Sequence, residues 1–280
     1  MLSDKDYSIL YKILWEYTLR ADLTDELRQD LKNLQYNLDG ESKKAVIETH
    51  HNVQSITALD SDVNLDIEKI PLRPYIYKIP KAFTPEECNS LIEVAKPKLE
   101  RSTVISRTEK LDSPKQSEIS KQRTSSNTFL NLNDSNDEVF KFTMSKLDAI
   151  VRTLTGLPSE NKEELQVVHY DVGQFYESHM DTFQKNTASY KEECEDRGGQ
   201  RVYTVMLYLN EVEEGGETEF PKVGLKVKPE IGTVLFWHDM VDGVPYLKSE
   251  HEAMPPIKGE KWACTYWIRE HTFNQKVIKE

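Results

Sequence analysis

The chain has 280 residues, 30% of them charged, with 48 acidic against 36 basic side chains and a formal net charge of −12. That balance argues against a nucleic-acid substrate, because phosphate contacts need clustered Lys and Arg, and no apolar run approaches the ~20 residues that span a bilayer. Cys88, Cys194 and Cys264 are too widely spaced for a zinc knuckle or a disulfide framework, and the charged opening MLSDKDYSILYKILWEY lacks the basic-then-apolar pattern of a leader. Reduced thiols and a cytoplasmic location are therefore expected.

Taken in chain order, Leu10, Ile13, Leu14 and Tyr17 share one helical face, and Thr24 caps a second helix striped by Leu27, Leu31, Leu34 and Leu38. The polar stretch from Asp39 to Asp66 reads as a linker or a loosely packed helix. The expectation is a helical N-terminal extension over 1–71, with no legible role, and a larger domain over 72–280. Thr84-Pro85-Glu86-Glu87 is a capping box with Pro at the first helical position, followed by Cys88, Leu91, Ile92 and Ala95 on the buried face. A further helix carries Phe140, Met144, Leu147, Val151 and Leu154 and closes at Gly156 and Pro158. Between them, Thr108 to Ser126 is almost free of apolar residues and reads as either a disordered loop or a mobile lid.

From Leu165 the pattern changes. LQVVHYD, RVYTVMLYLN, GLKVKP, GTVLFWH and KWACTYWIR are rich in β-branched and aromatic residues and are separated by Gly, Pro and acidic turns. Helices first and strands later predict an α+β, mainly β fold, with helices outside a sandwich or barrel. No internal repeat is visible.

His179-Met180-Asp181 ends the apparent strand FYESHMD, where residues two apart share a face. One imidazole and one carboxylate can then bite a single metal, with His251 in KSEHEAMP as the best third ligand. Two His and one carboxylate with open positions are the ligand set of non-haem Fe(II) oxygenases. Alone, the spacing is equally that of a solvated strand end. Lys261, in the apolar strand GEKWACTYWIR, is either an outward strand residue or an inward ammonium that needs an anion. Tyr208 is either a core aromatic or a hydroxyl donor to that anion. The His50-His51 pair reads as surface.

The blocks LQVVHYDVGQFYESHMD, GGQRVYTVMLYLNEVEEGGETEFP, GLKVKPEIGTVLFWH and SEHEAMPPIKGEKWACTYWI resemble successive blocks of the prolyl 4-hydroxylases, nearest to the small single-chain plant, algal and viral forms. FTPEECNSLIEVAKPKLERSTV and QRTSSNTFL resemble the same family's early helix and RTSS segment, so the likeness runs over roughly residues 72 to 271. It implies a double-stranded β-helix, or jelly roll, flanked by helices. It also implies hydroxylation of peptidyl proline at C4, coupled to conversion of 2-oxoglutarate and dioxygen to succinate and carbon dioxide, with L-ascorbate as accessory reductant. By that resemblance His179, Asp181 and His251 hold Fe(2+), Lys261 pairs with the distal carboxylate of 2-oxoglutarate, and Tyr170 and Tyr208 line its site. Tyr176, Arg201, Trp267, Arg123 and Ser125 fall around the groove for a proline-containing peptide or protein.

Three positions depart from the family. Glu252-Ala253-Met254 replaces a small Gly-containing turn, Asn127 replaces the glycine after RTSS, and Arg269 stands where a histidine near the groove is common. An arginine there predicts a preference for acidic residues near the target proline. The charged insertion from Gln184 to Gly199 is expected to frame the groove opposite the polar loop. The alternatives are a hydroxylase of lysine on the same scaffold, or an idle binding protein; a nucleic-acid substrate is disfavoured by charge.

Overall fold

Thr84 starts the first described helix, α1 (Pro85–Ala95), as a reciprocal cap. Its hydroxyl accepts the Glu87 N–H at 3.2 Å, and the Glu87 carboxylate accepts the Thr84 N–H at 2.7 Å. The same carboxylate takes Lys146 at 2.9 Å, which ties α1 to α2 (Glu138–Thr155). Asp137 caps α2, and Gly156, at φ 69°, ends it in the left-handed conformation that glycine adopts without steric cost. This computed structural model describes residues 75–105 and 121–273, with short paired segments at 56–57, 64–65, 68–69 and 117–118. The two N-terminal helices read from sequence, and most of the loop from Thr108 to Ser126, lie outside the described residues.

The strands form two principal antiparallel sheets. The larger has eight strands, in the order Glu68–Lys69, β1 (Ile76–Ile79), β8 (Val234–His238), β5 (Arg201–Tyr208), β10 (Lys261–Arg269), β3 (Leu165–Tyr170), β2 (Ser126–Leu130) and Glu100–Arg101. The smaller has four, in the order β4 (Tyr176–His179), β9 (His251–Ala253), β6 (Thr218–Phe220) and β7 (Leu225–Val227). Helix α1 packs against α2 and on β2 and β3. This is the jelly-roll frame that the family resemblance implies, with helices beside the strands as the order of elements predicts. No described helix is long and apolar enough to cross a membrane.

The period of two along each strand decides which side chains face the interior. Met206, Tyr208, Val168, Tyr170, Leu235, Trp237 and Ala263 from the large sheet meet Phe220 and Val227 from the small one in a single buried cluster. Residues on the opposite face, such as Val205, Leu207 and Cys264, are buried too, so these strands read as unbroken apolar runs.

Gly232 fixes the approach of the chain to α1. Its N–H donates to the Tyr208 carbonyl and its own carbonyl accepts the Phe83 N–H, both at 3.0 Å. At φ +76°, a Cβ here would stand 2.0 Å from the Phe83 carbonyl oxygen. Gly232→Ala is expected to lower unfolding free energy by at least the ~1–3 kcal/mol of a strained backbone position. A urea melt superimposable on wild type would show that this contact yields freely.

Candidate active site

Strands β4 and β9 are neighbours, and their register sets His179 directly opposite His251, with ring centroids 4.3 Å apart. β4 ends at His179, so Asp181 lies in the bend that follows, whereas the two-residue spacing places both on one strand face. It converges nonetheless. Asp181 Oδ1 is 3.8 Å from His179 Nε2, and Oδ2 is 3.9 Å from His251 Nε2. The Nδ1 atoms lie 2.8 Å from the Glu177 carbonyl and 2.9 Å from the Ser249 carbonyl. Carbonyls only accept, so each Nδ1 carries a hydrogen, and Nε2 is the ring nitrogen turned towards Asp181.

The three side chains are buried, and their ligand atoms lie within 4.8 Å of one another, an arrangement that could hold a metal ion. Burial alone would push the Asp181 carboxyl up, but His251, His179, Arg201 and the Thr204 hydroxyl outweigh it and hold it at about 2. A carboxylate and two imidazole Nε2 atoms converging on one point are a fitting donor set for Fe(II). Tyr176 stacks on His179 at 3.7 Å, and Trp237 abuts His251 at 4.7 Å, so both imidazoles are clamped by aromatic rings.

A cavity runs from these three residues between the sheets, past Met206, Ala263, Val168 and Tyr170, to Lys261. Register places Lys261 opposite Tyr170, and its side chain points inward with 1% exposure. Its Nζ reaches Thr218 Oγ1 at 3.4 Å and lies 5.5 and 5.6 Å from the Tyr170 and Tyr208 rings. Among the described residues no carboxylate pairs with it. Burial depresses the ammonium to about 7, with Glu217 only partly opposing the shift. A buried cation left unpaired in a cavity is complementary to an anionic ligand. The Tyr208 hydroxyl is already engaged, donating towards Thr218 Oγ1 at 2.8 Å with the Val227 carbonyl at 3.3 Å. It bears on the cavity through Thr218 rather than directly.

An open groove meets the cavity at the same point. Arg123, Gln166, Tyr176, His179, Asp181 and Trp267 line both. Arg201 also lines the groove. It pairs with Glu163 at 2.6 and 2.8 Å and lies 3.8 Å over the Trp267 ring. Arg123 lies over Tyr176 at 4.8 Å, held by Gln166 at 3.0 Å and by Ser125 at 3.2 Å. Ser125 is fully buried behind it and reaches Ser102 at 3.0 Å. Of the departures, Asn127 lines the groove and Glu252 and Ala253 line the cavity.

Arg269 is a correction. It is absent from the groove lining and has 0% exposure, donating to Glu163 at 2.6 Å and to the Glu193 and Gly199 carbonyls at 2.7 and 2.9 Å. The guanidinium is fully buried, with Nε and Nη1 bonded to internal acceptors, so it is not presented to a peptide in the groove. What it does is stitch the insertion from Gln184 to Gly199 onto β10. Arg269→Ala is expected to cost about 1–3 kcal/mol by leaving the Glu193 and Gly199 carbonyls without their donor, while Arg201 and Arg197 still pair with Glu163 and Glu193, with no change in the ranking of acidic and neutral peptides. A variant as stable as wild type but with an altered ranking would reinstate the groove role.

Sequence reasoning missed Thr204, Trp237, Asp239, Glu163 and Gln166. For Thr204 and Trp237 the signal is periodicity, since 204 shares a face with 206 and 208, and 237 with 235, on strands already recognised, whereas Asp239 falls in the bend after β8.

Residues 165–269 match the model of the 2OG-Fe(II) oxygenase superfamily, which sets the class of this fold and site. The chain is 38% identical over 212 residues to Probable prolyl 4-hydroxylase 10 of Arabidopsis thaliana, covering 68% of this chain and 67% of that one. With Prolyl 4-hydroxylase 5 of the same plant it shares 37% over 229 residues, covering 74% and 72%. The viral collagen prolyl hydroxylase of Paramecium bursaria Chlorella virus-1, solved as its 2OG complex, superposes with a TM-score of 0.52 at 28% identity, over 69% of this chain and 95% of that one. The chain belongs to the prolyl 4-hydroxylase family, whose Fe(2+) and 2-oxoglutarate requirement it shares.

Proposed function

We propose that this protein hydroxylates peptidyl proline at C4, using 2-oxoglutarate and dioxygen and releasing succinate and carbon dioxide. The observation that carries the reading is the junction. One cavity ends in an unpaired buried ammonium, one groove is open to a peptide, and His179, Asp181 and His251 stand where the two meet.

His179 Nε2, His251 Nε2 and the Asp181 carboxylate would hold Fe(II), which supplies the activation of dioxygen that no side chain can perform. Lys261 binds the distal carboxylate of 2-oxoglutarate, Thr218 steadies the ammonium, and Tyr170 forms the adjoining wall. Tyr176 and Trp267 give the target ring an apolar seat beside the metal site. Arg123 and Arg201 offer donors to backbone carbonyls of the peptide, and Ser125 holds Arg123 in place. Ascorbate is expected to sustain turnover.

The groove favours proline over lysine. Among the described residues its lining carries Arg123 and Arg201, and the one carboxylate is that of Asp181. A lysine ammonium would meet like charge and, among the described lining residues, no carboxylate outside the metal site. The test is a matched set of proline and lysine peptides with Fe(II), ascorbate and 2-oxoglutarate, read by mass spectrometry. A gain of one oxygen on proline peptides alone is expected; gain on lysine peptides alone would refute the assignment.

A further inference from the structure

The outer face of the large sheet carries a second group of ligand-type side chains. His169 on β3 sits opposite Trp262 on β10, with ring centroids 4.3 Å apart. Val168, Tyr170, Lys261 and Ala263 line the cavity, so the alternation of each strand turns His169 and Trp262 to the other side. Asp171 follows the last residue of β3, and Glu260 precedes the first of β10. Both carboxylates therefore arrive at the His169 ring.

His169 Nε2 lies 2.7 Å from Glu260 Oε2 and 3.9 Å from Asp171 Oδ1. One ligand atom from each residue lies within 4.8 Å of the others. His169 is 9% exposed and its ring is backed by Trp262, whereas the Asp171 and Glu260 side chains are 68% and 56% exposed. A nitrogen fixed from within thus meets two carboxylates open to solvent. Among the described residues, neither carboxylate pairs with a Lys or Arg. A hydrogen bond to Glu260 accounts for the first contact alone, since 3.9 Å is too long for Asp171 to share it. Even a charged imidazole would leave one of the two negative charges unmatched.

We propose that His169 Nε2, Asp171 and Glu260 form a second metal site, apart from His179, Asp181 and His251, which takes Zn(II) with water completing its shell. Zn(II) accepts mixed nitrogen and carboxylate donors, whereas Mg(II) and Ca(II) take oxygen shells. The ion replaces the hydrogen between Nε2 and Glu260, leaving the imidazole hydrogen on Nδ1, and its two charges match the two carboxylates. It also clips the end of β3 to the start of β10, directly behind Tyr170 and Lys261 in the cavity wall.

The test is Zn(II) calorimetry on the full chain carrying His179→Ala, in which the catalytic ligand set is incomplete. At least one Zn(II) per chain is expected to remain, and adding His169→Gln should remove one. Glu260→Gln leaves the packed ring undisturbed and its amide can still hydrogen-bond His169, yet it loses the charged ligand. Affinity should fall about tenfold or more with it, since a ligand matters at least as much as its outer shell. Zn(II) should raise the melting temperature of the His179→Ala chain and lose that effect once His169→Gln is added. Excess Mg(II) should not compete. Zn(II) binding left unchanged by either His169→Gln or Glu260→Gln, or absent as soon as His179 is replaced, would overturn the proposal. Displacement of the ion by Mg(II) would overturn the assignment to Zn(II).

Discussion

Lys261→Met is expected to abolish productive use of 2-oxoglutarate while making the unliganded chain more stable. Truncating one partner of a buried, hydrogen-bonded charge pair costs about 2–5 kcal/mol, roughly 30- to 5,000-fold in 2-oxoglutarate affinity. In the unliganded chain the same ammonium is a liability, since it is 1% exposed and has only Thr218 within reach. A methionine of similar length removes that desolvation penalty, and replacing buried charge by apolar side chains can stabilise by about 1–4 kcal/mol. The gain belongs below pH 7, where the folded chain carries the charge. It vanishes above the ordinary lysine value of 10.5, where folded and unfolded chains are both neutral. Thermal melts and 2-oxoglutarate titrations on one sample would read both effects.

The wild-type site carries a matching pH signature. The ammonium titrates at about 7 before ligand arrives. The charged form that a carboxylate needs therefore prevails below that pH and is depleted above it. Binding must then take up a proton, and 2-oxoglutarate affinity should fall about tenfold per pH unit above 7, until the pKa of the bound state is reached. A flat profile from pH 6 to 9 would mean that another cation neutralises the ligand.

The second large effect falls on the metal ligands. His179→Ala removes one of three donors and also the ring on which Tyr176 stacks at 3.7 Å. Metal affinity should drop by more than the ~10–100-fold of an outer-shell change, with peptide-dependent succinate lost. The fold should persist, because β4 is a short strand of the smaller sheet and the apolar cluster between the sheets does not include His179. Binding of Fe(II) at wild-type strength by His179→Ala would place the metal elsewhere.

Much of this arrangement is legible in the sequence because its elements are locally determined. The Thr84 capping box, the Gly156 terminus and the apolar strands from Leu165 onward each carry their own signal, and each forms as read. The pairing of His179 with His251 is different. It depends on β4 and β9 becoming neighbours across the 71 positions between the two histidines, a tertiary fact that no local pattern contains, and only the ordered family blocks connect the two. Arg269 shows the opposite failure. Its placement by analogy put a cation in the groove, whereas Glu163, on the loop before β3, captures it from below. Lys261 was ambiguous between faces until register set it against Tyr170. Tyr208 faces inward as periodicity requires, yet Thr218 on the other sheet takes its hydroxyl.

The central claim is a coupled oxidation in which one dioxygen molecule serves two products. Turnover under ¹⁸O₂ with a proline peptide measures it directly. The account predicts one labelled oxygen in 4-hydroxyproline and one in succinate, in equal amounts, with both lost in His179→Ala. Succinate formed at the same rate without peptide, or hydroxyproline carrying no label, would contradict it.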